Sequence, residues 1–451
     1  MQDPSIARLP FPTSFYEVEM IVIVRDGRKQ TLKDGMSVVP GCYLISCWIS
    51  LLYLSFFWIM SPWSLNMSPV TRFFSAAAAA SVAAAAVLDM PIIVDNGYKT
   101  IQFNIGTPAK TYRLLFDTGS SSSWAVDSEC AKSTCPNVSG YDRVGYSINA
   151  STSGSYTGGY ADIAYLGGNT AGPTVSETWT VGDFTWKQDF IAANESNWAA
   201  MAADGFMGMG FSSIIDGGAN TVVETLMAQN RLDEAKFGIY YGTEHNNTGG
   251  VPGKGVVTIG GSRESDFVDG DLTTIPITRV NGGYDVWRSI ILKVNGTRSA
   301  GNGSTVETET NFDQASVVFD TGAGSITLPE KQNLEVYESI GMNYTAILAG
   351  DHIPLCSEFN SSWSFKFSFG DYRYPQTVEI TGDQLRRPGF ANREDACWPP
   401  FQDGSPGFAL IGTPFLRNFY TVWDYGSAAN ETELWRFDPT LSFGKLKHDT
   451  N

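Results

Sequence analysis

The sequence predicts an all-β protein built as two lobes, and three observations lead there. The first is composition: 451 residues, rich in Gly (46) and aromatics (13%) with 17% charged, a balance of folded β proteins rather than disordered chains. The second is a succession of short alternating runs from Ile92 onward, separated by Gly-rich turns. Lys99–Ile105, Tyr112–Phe116, Glu177–Val181, Gly255–Ile259, Trp287–Val294 and Ser364–Phe369 all read as strands. The third is a motif written twice. Leu114-Leu115-Phe116-Asp117-Thr118-Gly119-Ser120 returns as Val317-Val318-Phe319-Asp320-Thr321-Gly322-Ala323. Each copy has a later companion of two apolar residues and a glycine: Phe206-Met207-Gly208, 91 residues past Asp117, and Leu410-Ile411-Gly412, 92 past Asp320. A repeat at that interval means two lobes of one design.

Before the lobes stand two apolar segments. Cys42–Met60 is uncharged and long enough to span a bilayer, with Arg25, Arg28, Lys29 and Lys33 ahead of it. From Met67, Arg72 precedes an Ala-rich run to Leu88, with small residues at Ala84–Ala86. That is the layout of a secretory signal peptide. Two export signals in tandem are redundant. Residues 67–88 are therefore expected to be the signal, and 1–66 either an extension of the gene model or a signal anchor that tethers the chain through 42–60. Both readings carry the body out of the cytosol. The N-terminal lobe is expected at 92–275, the C-terminal lobe at 276–443, and a polar tail at 444–451.

Sequons at Asn137, Asn149, Asn194, Asn246, Asn295, Asn302, Asn343, Asn360 and Asn430 agree with export. The cysteines Cys130, Cys135, Cys356 and Cys397 form an even set in the body, which suits an oxidising compartment. Helices are few. Thr221-Val222-Val223-Glu224 reads as a capping box opening a helix to about Gln229, and Pro329 would start another with Leu334, Tyr337 and Ile340 on one face.

Charge and residue inventory exclude several functions. A net charge of −17 argues against nucleic acid as a partner; it fits either solubility or work at low pH. Three histidines and no HExxH leave no material for a His-rich metal site, and no G-x-S-x-G points to a serine hydrolase. No cofactor is expected. What remains is the pair of carboxylates. An apolar strand is an unfavourable place for a lone charge, whereas two such strands ending face to face let Asp117 and Asp320 share one proton and polarise a water.

On these residues the chain resembles the pepsin-like aspartic endopeptidases, from about Ile93 to about Phe443. Ile105-Gly106-Thr107-Pro108 followed by Phe116-Asp117-Thr118-Gly119-Ser120-Ser121 matches the family's first signature. Trp124 matches the tryptophan that supports the flap, and Tyr165-Leu166-Gly167-Gly168 the flap hairpin with its tyrosine. Asp204-Gly205-Phe206-Met207-Gly208 and Leu410-Ile411-Gly412 match the apolar elements of the two lobes, and Cys130–Cys135 and Cys356–Cys397 fall where the family has disulfides.

The resemblance implies a bilobal double β-barrel with a cleft between the lobes. Asp117 and Asp320 would be catalytic, supported by Thr118, Gly119, Ser120, Thr321 and Gly322. Tyr165 would act as a lid, with Gly168 at the hairpin, while Leu115, Phe206 and Trp198 border an apolar pocket. The partners implied are protein or peptide substrates cut at apolar residues, taken by a monomer, outside the cell or in the secretory or vacuolar system. The alternative is a catalytically dead member serving as a binding protein, but such members lose an Asp or the flap. Three departures stand out. Ala323 replaces a hydroxyl residue, Leu166 replaces a flap glycine, and no basic inhibitory prosegment stands between the Ala-rich run and the first strand.

Overall fold

The computed structural model describes residues 85–300, 303–426 and 438–447, all within a unit spanning Ala83–Asn451. The 42–60 run, residues 67–84, Asn302, Asn430 and the end of the tail lie outside the described residues. Among those described, strands form three sheets of nine, seven and six members, and helices are short. The fold is all-β and bilobal.

The nine-stranded sheet runs from Ile93–Asp95 to Ser155–Ala164 and carries the first carboxylate. The seven-stranded sheet runs from Gln376–Thr381 to Gln402–Gly404 and carries the second. Each contains the same local arrangement. Lys110–Asp117 lies parallel to Gly205–Gly208, which lies antiparallel to Trp124–Val126. Thr305–Phe319 lies parallel to Phe408–Ile411, which lies antiparallel to Ile326–Pro329. The twin sequence motifs thus become twin three-strand crossings, and parallel neighbours buried on both faces explain why these strands read as continuous apolar runs.

The six-stranded sheet draws on both ends of the chain. Its order is Leu88–Pro91, Val256–Ile259, Lys236–Tyr240, Phe419–Asp424, Thr440–Lys445, Thr273–Pro276. The last of these crosses the 275/276 boundary and joins neither lobe's own sheet. Leu88, the final residue of the signal-like segment, pairs with Ile259 and is buried, so the sheet begins just past the Ala-rich run. Aromatic packing fastens the layers together: Trp423 stacks on Phe237 at 5.6 Å and meets Trp287 edge-on at 5.3 Å.

Several strand expectations were too short, Tyr112–Phe116 among them, which lies within Lys110–Asp117. Glu177–Val181 is the end of Asn169–Val181, and Trp287–Val294 extends as Arg288–Ser299. Cross-strand pairing extends both past the point where the apolar alternation fades. The expected helices form at Val222–Ala228 and Glu330–Ser339. Thr221 caps the first by accepting from Glu224 N at 3.2 Å, but the reciprocal half of the capping box is absent. The Glu224 carboxylate accepts from Ser212 N at 3.0 Å instead, a tertiary contact winning over a local one. Pro329 ends a strand and precedes its helix rather than opening it.

Candidate active site

Buried Leu114, Leu115 and Phe116 draw the first strand into the core and leave Asp117 at its end, while Val317, Val318 and Phe319 do the same for Asp320. Backbone ladders fix both turns. Met209 N donates to Asp117 O at 2.7 Å, and Asp320 N donates to Ile411 O at 2.9 Å. The glycines of the two companion motifs are required by close approach. A Cβ on Gly208 would lie 2.3 Å from the Ser121 carbonyl carbon, and one on Gly412 2.5 Å from Ala323 O. Strand and turn pass too near for any side chain there.

The two turns are locked to each other by reciprocal hydrogen bonds. Thr118 Oγ1 accepts from Thr321 N at 2.9 Å and donates to Phe319 O at 2.9 Å. Thr321 Oγ1 accepts from Thr118 N at 3.0 Å and donates to Phe116 O at 2.7 Å. Both threonines are buried, so every polar group in this knot finds its partner across the junction. The glycines have the complementary task. A Cβ on Gly119 would stand 2.5 Å from the Asp320 carboxyl, and one on Gly322 2.6 Å from Asp117 Oδ1. Each carboxyl therefore rests over the other turn's glycine, and the two acids face each other.

Their surroundings are unequal. Asp117 accepts from Gly119 N at 2.9 Å and from the Ser120 hydroxyl at 2.5 Å. Asp320 accepts from Gly322 N at 2.8 Å and Ala323 N at 3.1 Å, with no hydroxyl among these donors. Burial raises both pKa values. For Asp117, the Ser120 hydroxyl and a hydrogen bond from Asp320 pull back toward ionisation. Asp320 is raised well above the usual range by burial first and then by the neighbouring Asp117 charge. The two acids thus sit in unequal surroundings, with the neighbouring charge adding to burial at Asp320 and the Ser120 hydroxyl opposing it at Asp117.

Over the site folds the hairpin of Ser155–Ala164 and Asn169–Val181. Its tip closes with Tyr165 N donating to Gly168 O at 2.7 Å, leaving Leu166 exposed. The Tyr165 ring meets Phe206 at 5.2 Å and Trp198 edge-on at 5.8 Å, and Trp124 stacks on Phe206 at 5.0 Å. Burial, then the Asp117 charge, raises the Tyr165 pKa. Leu115 and Phe206 are themselves buried in the cluster beneath this hairpin, so they act as its floor.

The tip is anchored more firmly than the sequence suggests. Cβ atoms on Gly167 and Gly168 would come 2.6 and 2.9 Å from the Trp198 ring, and Asn197 Oδ1 accepts from Asn169 N at 2.7 Å. Arg143 in turn holds the Trp198 carbonyl. Asn197 and Arg143 lie in loop sequence with no local signal of this role. Asp204 also carries more than its motif implied. Fully buried, it accepts from Arg113 N at 2.8 Å, Val144 N at 2.6 Å and Tyr141 Oη at 2.8 Å, tying the strand that carries Asp117 to the loop beside it.

Both cysteine pairs are bonded. Cys130–Cys135 closes the turn after the Ser128–Lys132 helix, and Cys356–Cys397 closes a separation of 41 residues. By loop-closure entropy the longer staple contributes about 4 kcal/mol.

The facing buried acids, the knotted threonines and the aromatic-backed hairpin have the arrangement that the resemblance to aspartic peptidases implies, and sequence comparison bears on the family. The family model described as eukaryotic aspartyl protease matches residues 98–432. The chain belongs to that family and is an aspartic-type endopeptidase. It is 29% identical over 358 residues to a probable vacuolar protease A of Arthroderma benhamiae, covering 74% of this chain and 81% of that one. It is 30% identical over 344 residues to rhizopuspepsin-3 of Rhizopus niveus, covering 73% and 78%. Pepsin A of Suncus murinus is 23% identical over 377 residues, covering 80% and 86%.

Proposed function

We propose that Asp117 and Asp320 hold the attacking water between them and divide its chemistry. Asp117 takes a proton from the water as its oxygen attacks the peptide carbonyl carbon, while Asp320 gives its proton to the carbonyl oxygen. Asp117 then gives its proton to the leaving nitrogen as the C–N bond breaks, Asp320 takes a proton from a hydroxyl of the diol, and the dyad is left with one proton, on Asp320, as it began. That shared proton is the established behaviour of aspartic protease dyads. The observation that carries the reading is the seating of each carboxyl over the opposite turn's glycine. The unequal donors, Ser120 on one acid and amides on the other, support the division of labour.

Thr118 and Thr321 hold the geometry, Gly119 and Gly322 make room for it, and Tyr165 closes over the substrate with Trp124 behind it. The aromatic surfaces of Tyr165, Trp198 and Phe206 favour apolar residues beside the cut bond. An acidic optimum follows from the need for one proton on the pair. The enzyme acts as a monomer in the vacuole or outside the cell. The disulfides, the sequons and the vacuolar naming of one relative support that placement. Among the described residues no helix is long and apolar enough to cross a membrane, and the 42–60 tether lies outside them.

The test is digestion of a denatured protein across the acidic range, with and without a transition-state-mimicking aspartic protease inhibitor. Activity is expected to be greatest in acid, blocked by the inhibitor, and lost in Asp117→Asn and Asp320→Asn. Residual turnover in either variant at a rate near the parent's sinks the assignment.

A further inference from the structure

The outer strand of the flap, Ser155–Ala164, lies at the edge of its sheet, and its ladder to Asn169–Val181 is broken once. Pairing passes from Tyr156 opposite Val175 to Tyr160 opposite Pro173. Thr157, Gly158 and Gly159 bulge between them, with Gly158 at φ +91°. Across the bulge Thr157 Oγ1 donates to Thr174 O at 3.1 Å. On one side of it is the root of the hairpin; on the other are 160–164 and the tip that carries Tyr165. The inner strand is held past this point by Phe184–Ala193 and Glu195–Ser196. The outer strand can bend at its bulge.

A turn from elsewhere in the chain sits against that bulge. Gly217 O accepts from Thr174 Oγ1 at 2.7 Å, and a Cβ on Gly159 would lie 2.1 Å from the same oxygen. Gly217, at φ +60°, comes as close from its own side: a Cβ there would be 3.0 Å from Ala161 N. Two glycines are what allow this approach. Asp216, one residue earlier and half-buried, reaches beyond the bulge. Its Oδ2 accepts from Asp162 N at 2.8 Å and its Oδ1 from Gly217 N at 2.8 Å. An amide on the open edge of the flap, three residues before Tyr165, is thus taken by a side chain.

The same residue faces the dyad through its backbone. Asp216 N donates to Ser122 Oγ at 2.9 Å. Ser122 is buried and lies two residues past Ser120, whose hydroxyl donates to Asp117. The loop that ends at Asp216 also begins on that turn, where Met209 N donates to Asp117 O and Gly210 N to Ser120 O at 2.8 Å. Ala161 of the flap and Ala219 of the loop share the apolar cluster of Tyr165, Trp198 and Phe206. One loop therefore starts on the first carboxylate turn and finishes on the flap.

We propose that Asp216 is a positioning residue that fastens the outer strand of the flap, above its bulge, to the turn bearing Asp117. It acts through the flap rather than on the substrate. With the strand fastened, Tyr165 already stands where it covers a peptide. A flap that stands there only part of the time binds its substrate more weakly by that fraction. The proposal rests on the reading of Tyr165 as a lid.

The test compares the parent with Asp216→Ala and Asp216→Asn on a peptide substrate. Loss of both acceptors should raise KM about 10-fold, the worth of one or two net hydrogen bonds, with kcat kept within about 2-fold. The Asn variant retains one acceptor oxygen and should raise KM about 3-fold. The Ki of a transition-state-mimicking inhibitor should rise by the same factors. Amide exchange, read by mass spectrometry, should quicken about 10-fold in 160–164 and stay at the parent's rate in 184–193, with the urea midpoint unmoved. Gly159→Ala drives a methyl into Gly217 O while leaving Asp216 in place, and should repeat the pattern. Unchanged KM and exchange in Asp216→Ala overturn the proposal. So does a fall in kcat at constant KM, which would put the effect on Asp117 through Ser122 instead of on the flap. Faster exchange throughout the lobe with a lower urea midpoint overturns it too, since Asp216 would then be general support. Tyr165→Ala is the control: if it leaves kcat/KM at the parent's value, the lid reading itself fails. That result is separable from a clear Tyr165 effect with none at Asp216.

Discussion

Thr118 and Thr321 each place a hydroxyl under the other's strand, so that the two turns bearing Asp117 and Asp320 share four buried hydrogen bonds and neither can shift alone. Thr118→Val removes the acceptor for Thr321 N and the donor for Phe319 O. Two buried groups left unpaired cost about 2–4 kcal/mol, read as a lower urea midpoint. Because the carboxyl atoms lose their register, kcat should also fall about 100-fold. Thr118→Ser keeps the hydroxyl and should behave nearly as the parent. A loss in the Ser variant with none in the Val variant would mean that the methyl, not the hydroxyl, matters.

Asp320 lacks a hydroxyl donor where Asp117 has Ser120. Ala323→Thr would bring one toward Asp320, favouring its charged form and lowering its pKa. The pH–rate profile should move toward acid by about one unit, the worth of one such bond. A profile that stays in place counts against the asymmetry.

Glu224 is a buried carboxyl whose pKa is pushed up by burial to about 7 from its ordinary 4.5. The folded state then holds a proton that the unfolded chain has lost, so stability falls as pH rises from about 4.5 and levels off past about 7, where this group's contribution is gone. The 2.5-unit difference amounts to about 3 kcal/mol. Glu224→Gln keeps the acceptor for Ser212 N and removes the titration. Its melting temperature should fall less between weakly acidic and neutral pH than the parent's; parallel curves for the two would remove Glu224 from the account.

Trp198 is the surface on which the flap tip rests. Trp198→Ala leaves Gly167 and Gly168 without that ring and takes away one of the two aromatic contacts of Tyr165. A drop of about 10-fold in kcat/KM is expected, together with faster nicking of the 165–168 turn by an added protease. Unchanged nicking would show that the Tyr165–Phe206 contact and the Asn169–Asn197 hydrogen bond hold the tip without the Trp198 ring.

The catalytic core was legible because its constraints are local: an acid after an apolar run, a glycine where a carboxyl must pass, and the same spacing twice. Asp117, Asp320 and the two disulfides could be located on those grounds and the resemblance they carry. Thr118 and Thr321 could be named as support for the pair but their bonding to each other's strands could not, since it depends on how two turns meet. The anchoring of the flap by Asn197, Trp198 and Arg143 was less visible, because those residues act through backbone carbonyls and ring faces that leave no pattern. Glu224 offers the converse lesson: a good local capping signal was right about the helix and wrong about its own side chain, which tertiary structure claimed for Ser212.

The six-stranded sheet threads Leu88–Pro91 through Val256–Ile259 and Lys236–Tyr240 to Phe419–Asp424 and Thr440–Lys445. During synthesis, the earliest strand must wait on the ribosome's last products before that platform can close, and neither half can finish its own underside. For the same reason, a protease nick in a loop between the halves would leave both fragments clasped along a common seam.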